Sequence, residues 1–283
     1  MPELPEVETV RRTLERLAAG KTIRRVDVRL ARIVRRPAEP EAFARALEGL
    51  TIRAVQRRGK FLKFDLEQLV LLSHLRMEGR YGLYREGDEL EPHTHVVFHF
   101  TDGTELRYRD VRQFGTMDLY KPGEEEREGP LAKLGLEPLE DAFTEAAFRA
   151  AVAGRKTKIK PLLLNQECVV GLGNIYVDEA LHAAGIHPER NADALSRAEL
   201  GRLYEAIRST LRAAVEAGGS SVKSYVNGQG EQGSYQFALK AYGREGEPCA
   251  ACGGEIVKFV VGGRGTHICP ACQPLKAKRR KHK

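Results

Sequence analysis

Apolar residues recur along the chain with two different periods, and the change of period divides the sequence. In LPEVETVRRTLERL, Val7, Val10, Leu14 and Leu17 fall at helical spacing; Pro5 suits the first turn and Gly20 the stop. Short alternating runs follow, and TIRRVDVRL, LTIRAVQRRG, FLKFDL, LVLLSHL, HVVFHF and ELRYRDV each predict a strand. Asp102-Gly103, between the last two, predicts a two-residue hairpin turn. Residues 2–121 therefore read as an antiparallel β-sandwich or flattened barrel with the first helix packed on it. A stretch rich in Glu, Gly and Pro, 122–140, reads as a linker. From about Asp141 the period becomes helical, in FTEAAFRAAVAG, KTKIKPLLLNQ, IYVDEALHAAG and SRAELGRLYEAIRSTLRAAVEAGG, so 141–236 reads as a helical domain. Thr144 is placed to cap the first of these helices and Gly218-Gly219 to end the last. The polar stretch GGSSVKSYVNGQGEQGSYQ is long for a compact domain and has the character of a functional loop. The fold class expected is α+β and multidomain.

A chain of 283 residues, 42% hydrophobic and 30% charged, has the composition of a globular protein large enough for more than one domain. Its longest apolar runs are strand-length and interrupted by polar residues, so none is expected to span a bilayer. The N-terminus lacks the basic head and apolar core of a secretory signal, which points to the cytoplasm. The formal net charge of +7 favours an anionic partner. The last segment, 275–283, carries six Lys or Arg and no acid, and reads as a solvated basic tail able to strengthen phosphate contact.

Cysteine spacing changes the picture further. Cys249, Cys252, Cys269 and Cys272 form C-x2-C-x16-C-x2-C, the spacing of a zinc ribbon, here placed at 237–274. A redox-active pair is the competing reading, but one CxxC suffices for that chemistry. Four thiolates leave no open coordination site, so the one zinc ion expected is structural. Cys168 stands apart and reads as a small buried apolar residue. At the other end, a small residue behind Met1 favours removal of Met1, which would leave Pro2 as a free secondary amine.

PELPEVETVRR at the start, GLGNIYVDEAL in the centre and RGTHICPACQ near the end, in that order, resemble the formamidopyrimidine-DNA glycosylases of bacteria. The resemblance runs from residue 2 to about residue 274. It implies an N-terminal β-sandwich, a helix–two-turn–helix domain and a zinc ribbon. It also implies an enzyme that removes oxidised purines, 8-oxoguanine and formamidopyrimidines, from duplex DNA and cleaves the strand by β,δ-elimination. In that scheme Pro2 is the nucleophile that forms a Schiff base with the sugar. An α-amino group has a pKa of about 8 and is partly unprotonated at neutral pH, and a secondary amine yields the cationic iminium directly. Glu3 becomes the acid–base partner. Glu6 belongs to the same motif, where stabilisation of the helix dipole accounts for it.

The resemblance further implies that Lys60 contacts the phosphate or damaged nucleotide and that Arg264, at the ribbon tip, assists the second elimination. Met77, Arg112 and Phe114 match the wedge that fills the stack when a base is flipped out. Gln113 stands where related sequences often carry a basic residue. Gly171 and Gly173 would admit a phosphate to the helix beginning at Asn174. Arg155, Lys160 and His93 fall at DNA-contact positions, while His95 and His99 read as structural. Ser224 and Tyr225 fall in the stretch that would cover the extruded base. The implied partner is double-stranded DNA with oxidised or abasic sites, with no organic cofactor and no membrane. A single chain carries every part, so a monomer in the bacterial cytoplasm, associated with the nucleoid through DNA, is expected. The rival readings are an endonuclease VIII-like enzyme for oxidised pyrimidines, against which the wedge speaks, and a non-catalytic zinc-ribbon DNA-binding protein, against which Pro2 and Glu3 speak.

Overall fold

The computed structural model describes residues 1–220 and 233–275; Ser224, Tyr225 and the basic tail beyond Leu275 lie outside them. These residues form two compact units, one of 1–133 with 214–236, the other of 134–213 with the residues from 237 onward.

The first unit contains α1 (Leu4–Ala18), β1 (Ile23–Val28), β2 (Val34–Arg36), α2 (Pro40–Leu47), β3 (Ala54–Arg58), β4 (Phe61–Asp65), β5 (Val70–His74), β6 (Arg80–Arg85), β7 (Thr94–Phe100), β8 (Thr104–Arg109), β9 (Thr116–Tyr120) and α3 (Glu124–Arg127). One sheet has the order β1-β7-β8-β6 and the other β2-β9-β5-β4-β3. Inward-facing residues of both sheets, among them Phe98, Leu106, Leu62 and Met117, share one hydrophobic core with Val7, Val10 and Leu14 of α1. Contact between the sheets is also polar, since the Tyr81 hydroxyl donates to Ser73 Oγ at 2.7 Å. All six expected strands form.

Four details depart from the expectation. β2 runs parallel to β9, so the sandwich is not purely antiparallel. The β7–β8 hairpin turns on three residues, Thr101 to Gly103, with Gly103 at φ +79, the left-handed position that such loops require. β2, β6, β9 and α2 carried too short or too polar a pattern to be read in advance. Their apolar positions, such as Phe43 and Leu47, complete the same core. Finally, 122–140 holds the short helix α3, whose Glu125 is buried against Lys63 at 2.7 Å.

The second unit contains α4 (Glu145–Val152), α5 (Ile159–Leu164), α6 (Asn174–Ala184), most of α7 (Arg197–Glu216), and the hairpin of β10 (Val257–Val261) and β11 (Arg264–Ile268). The Thr144 hydroxyl caps α4 by accepting the Ala147 N–H at 3.1 Å, as its position predicts. Rings of Phe143, Phe148 and Tyr204 stack in the core, with Phe143 5.7 Å from Phe148 and 5.1 Å from Tyr204. Among the described residues no helix is long and apolar enough to cross a membrane.

Leu14 is completely buried between α1 and the sheets. Leu14→Ala is expected to lower the unfolding free energy by about 2–5 kcal/mol in urea titrations.

Candidate active site and nucleic-acid interface

Pro2 and Glu3 precede α1, and both are buried, whereas Met1 is 44% exposed. Glu3 is the N-cap residue, and its amide donates to Glu6 Oε2 at 2.8 Å. The other oxygen of Glu6 accepts the Ser220 amide at 2.7 Å. One buried carboxylate therefore joins the first residues of the chain to a segment more than two hundred residues later. The base of that segment is closed by bonds from Ser234 N to Ala217 O and from Tyr235 N to Gly219 O, at 2.9 and 3.1 Å. A dipole role, adequate for Glu6 from sequence, omits this bridge, and no spacing rule reveals it.

Lys60 occupies the two-residue turn Gly59-Lys60 between β3 and β4 and is 6% exposed. His74, at the end of β5, lies edge-on to Phe61 with ring centroids 4.5 Å apart. Burial, followed by the charges of Arg76, Lys60 and Arg35, pushes its pKa down to about 3. The imidazole is neutral at physiological pH, and its Nδ1 accepts the Arg76 amide at 2.9 Å. That bond braces the turn leading to Met77, where Arg76 takes the left-handed φ of 53°.

Met77 and Phe114 are among the exposed large apolar side chains, at 37% and 52%. Their loops meet at one atom, because a Cβ on Gly79 would lie 2.3 Å from the Tyr108 hydroxyl oxygen and one on Gly115 only 1.6 Å from it. Asp110, wholly buried, organises the second loop. Its carboxylate accepts the amides of Arg112, Phe114 and Gly115 at 3.1, 2.9 and 2.8 Å. Arg112 holds its guanidinium 5.0 Å from the Phe114 ring. Gln113 sits between them at φ 59° and accepts a hydrogen bond from Arg32. The three wedge candidates are thus surface side chains on buried supports. Sequence reading singled out these three side chains and passed over His74, Tyr108 and Asp110.

The three histidines of HTHVVFH serve separate ends. His93 is exposed at φ 65° and its carbonyl accepts the Asp110 amide at 3.1 Å. His95 Nε2 reaches Asp110 O at 2.9 Å. His99 stands between Asp27, 2.8 Å from Nε2, and Glu105, 2.9 Å from Nδ1.

In the second unit Gly173 is the N-cap of α6, and the Asn174 side chain donates from Nδ2 to Gly265 O at 2.8 Å. Arg155 is exposed. Lys160, expected from the resemblance at a DNA contact, is fully buried, with Nζ 2.6 Å from Asp178 Oδ1. Its position on α5 directs it inward, which the basic run GRKTKIKP does not disclose. Arg264 is exposed and follows the hairpin turn Gly262-Gly263, whose φ values of 58° and 73° fit a type I′ turn.

The four ribbon cysteines place their sulfurs within 4.8 Å of one another. Cys249 lies 3.9 Å from Cys272, and Cys252 lies 3.4 Å from Cys269. A tetrahedral zinc with Zn–S bonds of about 2.3 Å needs sulfurs about 3.8 Å apart, so the residues present fit the ion. Burial raises the Cys249 thiol, but the amides of Ala251 and Cys252 and the His182 ring outweigh it and lower the pKa overall, favouring the thiolate that a metal requires.

Family models match three stretches. These are the formamidopyrimidine-DNA glycosylase N-terminal domain at residues 1–117, its H2TH domain at 134–226, and the zinc finger found in FPG and IleRS at 246–275. The formamidopyrimidine-DNA glycosylase of Brevibacillus brevis is 66% identical over 96% of this chain and 99% of its own. That of Bacillus subtilis is 56% identical over 98% and 100%. Among solved structures, a mutant Lactococcus lactis FPG in complex with DNA containing Fapy-dG superposes with a TM-score of 0.91 at 42% identity, covering 97% of this chain and 100% of that one.

The depressed pKa of His74 lies below the unfolded value of about 6.5, so between the two the unfolded state holds the extra proton. Stability is then expected to fall as pH drops from about 6.5 towards 3, by up to about 1.4 kcal/mol per pH unit from this residue. Urea unfolding across that range should show a shallower slope for His74→Gln than for the unsubstituted protein. Cys269→Ser is expected to lose bound zinc by mass-spectrometric metal analysis and, with it, hydrogen-exchange protection of the ribbon amides.

Proposed function

Because the chain belongs to the formamidopyrimidine-DNA glycosylase family, we propose that it is a base-excision-repair enzyme that removes oxidised purines from duplex DNA and then acts as an abasic-site lyase. The observation that carries this reading is the buried Pro2-Glu3 pair at the head of α1, clamped by Glu6. Met1 is substantially exposed, so its removal empties no core position.

Once Met1 is gone, the Pro2 nitrogen attacks the sugar C1′, the N-glycosidic bond breaks, and the base departs with a proton. Glu3 protonates the ring oxygen and opens the sugar, so that the nitrogen lone pair forms a C1′ iminium. The iminium acidifies the C2′ hydrogen; its removal expels the 3′ phosphate, and a second elimination expels the 5′ phosphate. Lys60 supplies positive charge at the phosphate or damaged nucleotide, and Arg264 stabilises the phosphate that leaves second. Met77, Arg112 and Phe114 take up the space of the flipped nucleotide.

Arg155, His93 and Asn174, with the amides at the start of α6, position the phosphates. Lys160 acts from inside the second unit, through the residues it holds. A zinc ion on Cys249, Cys252, Cys269 and Cys272 is structural, its coordination filled by thiolates. The protein works in the bacterial cytoplasm as a monomer on DNA.

Borohydride trapping on an 8-oxoguanine duplex tests the scheme. Mass spectrometry is expected to find the sugar on a peptide beginning at Pro2, and Glu3→Gln to slow base release about 10²–10⁴-fold with duplex affinity retained. Fully active protein still bearing Met1 would overturn it.

A further inference from the structure

We propose that Asp178 is a positioning residue for Arg264, holding the ribbon tip in a fixed relation to the N-terminus of α6; this rests on the reading of Arg264 and Asn174 as phosphate-binding groups. Asp178 lies one helical turn beyond Asn174, so the two share a face of α6. It is 1% exposed, and its carboxylate is divided between two tasks. Oδ1 pairs with Lys160 Nζ at 2.6 Å, while Oδ2 accepts the His267 amide at 2.9 Å.

From Lys160 the connection continues to Arg264 itself. Nζ donates to Thr266 Oγ1 at 2.8 Å and to Gly265 O at 3.1 Å. The Thr266 hydroxyl donates in turn to the Arg264 carbonyl at 2.9 Å. Asn174 Nδ2 reaches the same Gly265 oxygen at 2.8 Å. Each of the three residues after Arg264 is therefore held by a side chain on α6 or by the lysine that Asp178 fixes.

An isolated two-stranded hairpin is marginal in water, so β10 and β11 do not fix their own tip. A carboxylate buried to this degree is costly unless paired, and Lys160 satisfies it at the point where the strand docks. The remaining charges of the network lie on the hairpin and beside it: His267 of β11 sets Nδ1 3.2 Å from Asp178 Oδ2, and its Nε2 faces Glu245, which pairs with Lys258 of β10. The arrangement lets an exposed guanidinium and the amides at the head of α6 meet the DNA backbone without their supports having to be ordered on binding.

Single-turnover cleavage of an abasic duplex by zinc-loaded D178N, R264A and the double variant tests this. D178N is expected to keep its zinc and to slow appearance of the δ-elimination product about tenfold. In the R264A background the same change should add less than about twofold, since the tip it aligns no longer carries the group that acts. An equal tenfold loss in both backgrounds, or no loss in D178N, overturns the positioning role while leaving Arg264 in place. An unchanged rate in R264A overturns the reading of Arg264 first and the proposal with it. Should D178N fail to retain zinc, the neutral pair K160M/D178L replaces it in the same cycle, with the same expected and overturning results.

Discussion

The ribbon's own internal core is small, and this constraint governs the second unit. Its own apolar cluster is Cys249, Ile256 and Cys269, with Cys272 packed against them. A core of that size does not offset the entropy of ordering the segment, so its order comes from the metal and from α6. That helix meets the ribbon with polar side chains. Glu179 accepts the amides of Lys240, Ala241 and Tyr242, all at 2.8 Å. His182 sets Nε2 3.4 Å from the Cys249 sulfur. With Asp178 on the strand, side chains along α6 tie the ribbon to the helix, and the helix whose N-terminus we assign to phosphate also carries the metal module.

The first unit solves a related problem with apolar material. A sandwich filled from both sheets and from α1 gives rigid anchors, and the groups assigned to chemistry sit where helix and strands end. Pro2 and Glu3 open α1, Lys60 lies in a hairpin turn, and Met77 follows β5. Three of the segments that carry these groups are held by a buried polar side chain: Glu6 for the N-terminus, His74 for the turn before Met77, and Asp110 for the loop of Arg112 and Phe114. Ordering these turns in advance removes the entropy that would otherwise be lost when DNA binds.

Much of this was legible in the sequence, for reasons that differ by element. The periods of α1 and of the strands from β3 to β5 come from local patterning, and the structure follows them closely. The cysteine spacing is chemically specific, and the sulfurs converge. Four residues were out of reach of local reading because their meaning is tertiary. Glu6 gains a partner at Ser220, Asp110 collects amides from its own loop, and His74 is kept neutral by burial and then by three nearby cations. Lys160 looks like any member of a basic run until α5 turns it inward against Asp178. Strands such as β2 and β6 escaped for a plainer reason: β2 has only three residues, and β6, RYGLYR, is broken by a glycine and two arginines.

The hydroxyl of Tyr108 leaves no room for even a methyl group on either loop that leans on it. Any side chain added at Gly79 or Gly115 would have to displace the Tyr108 ring before either loop could keep its course. The exposed thioether of Met77 and phenyl ring of Phe114 stand clear of that contact, so a change at a tip and a change at its footing have different reach.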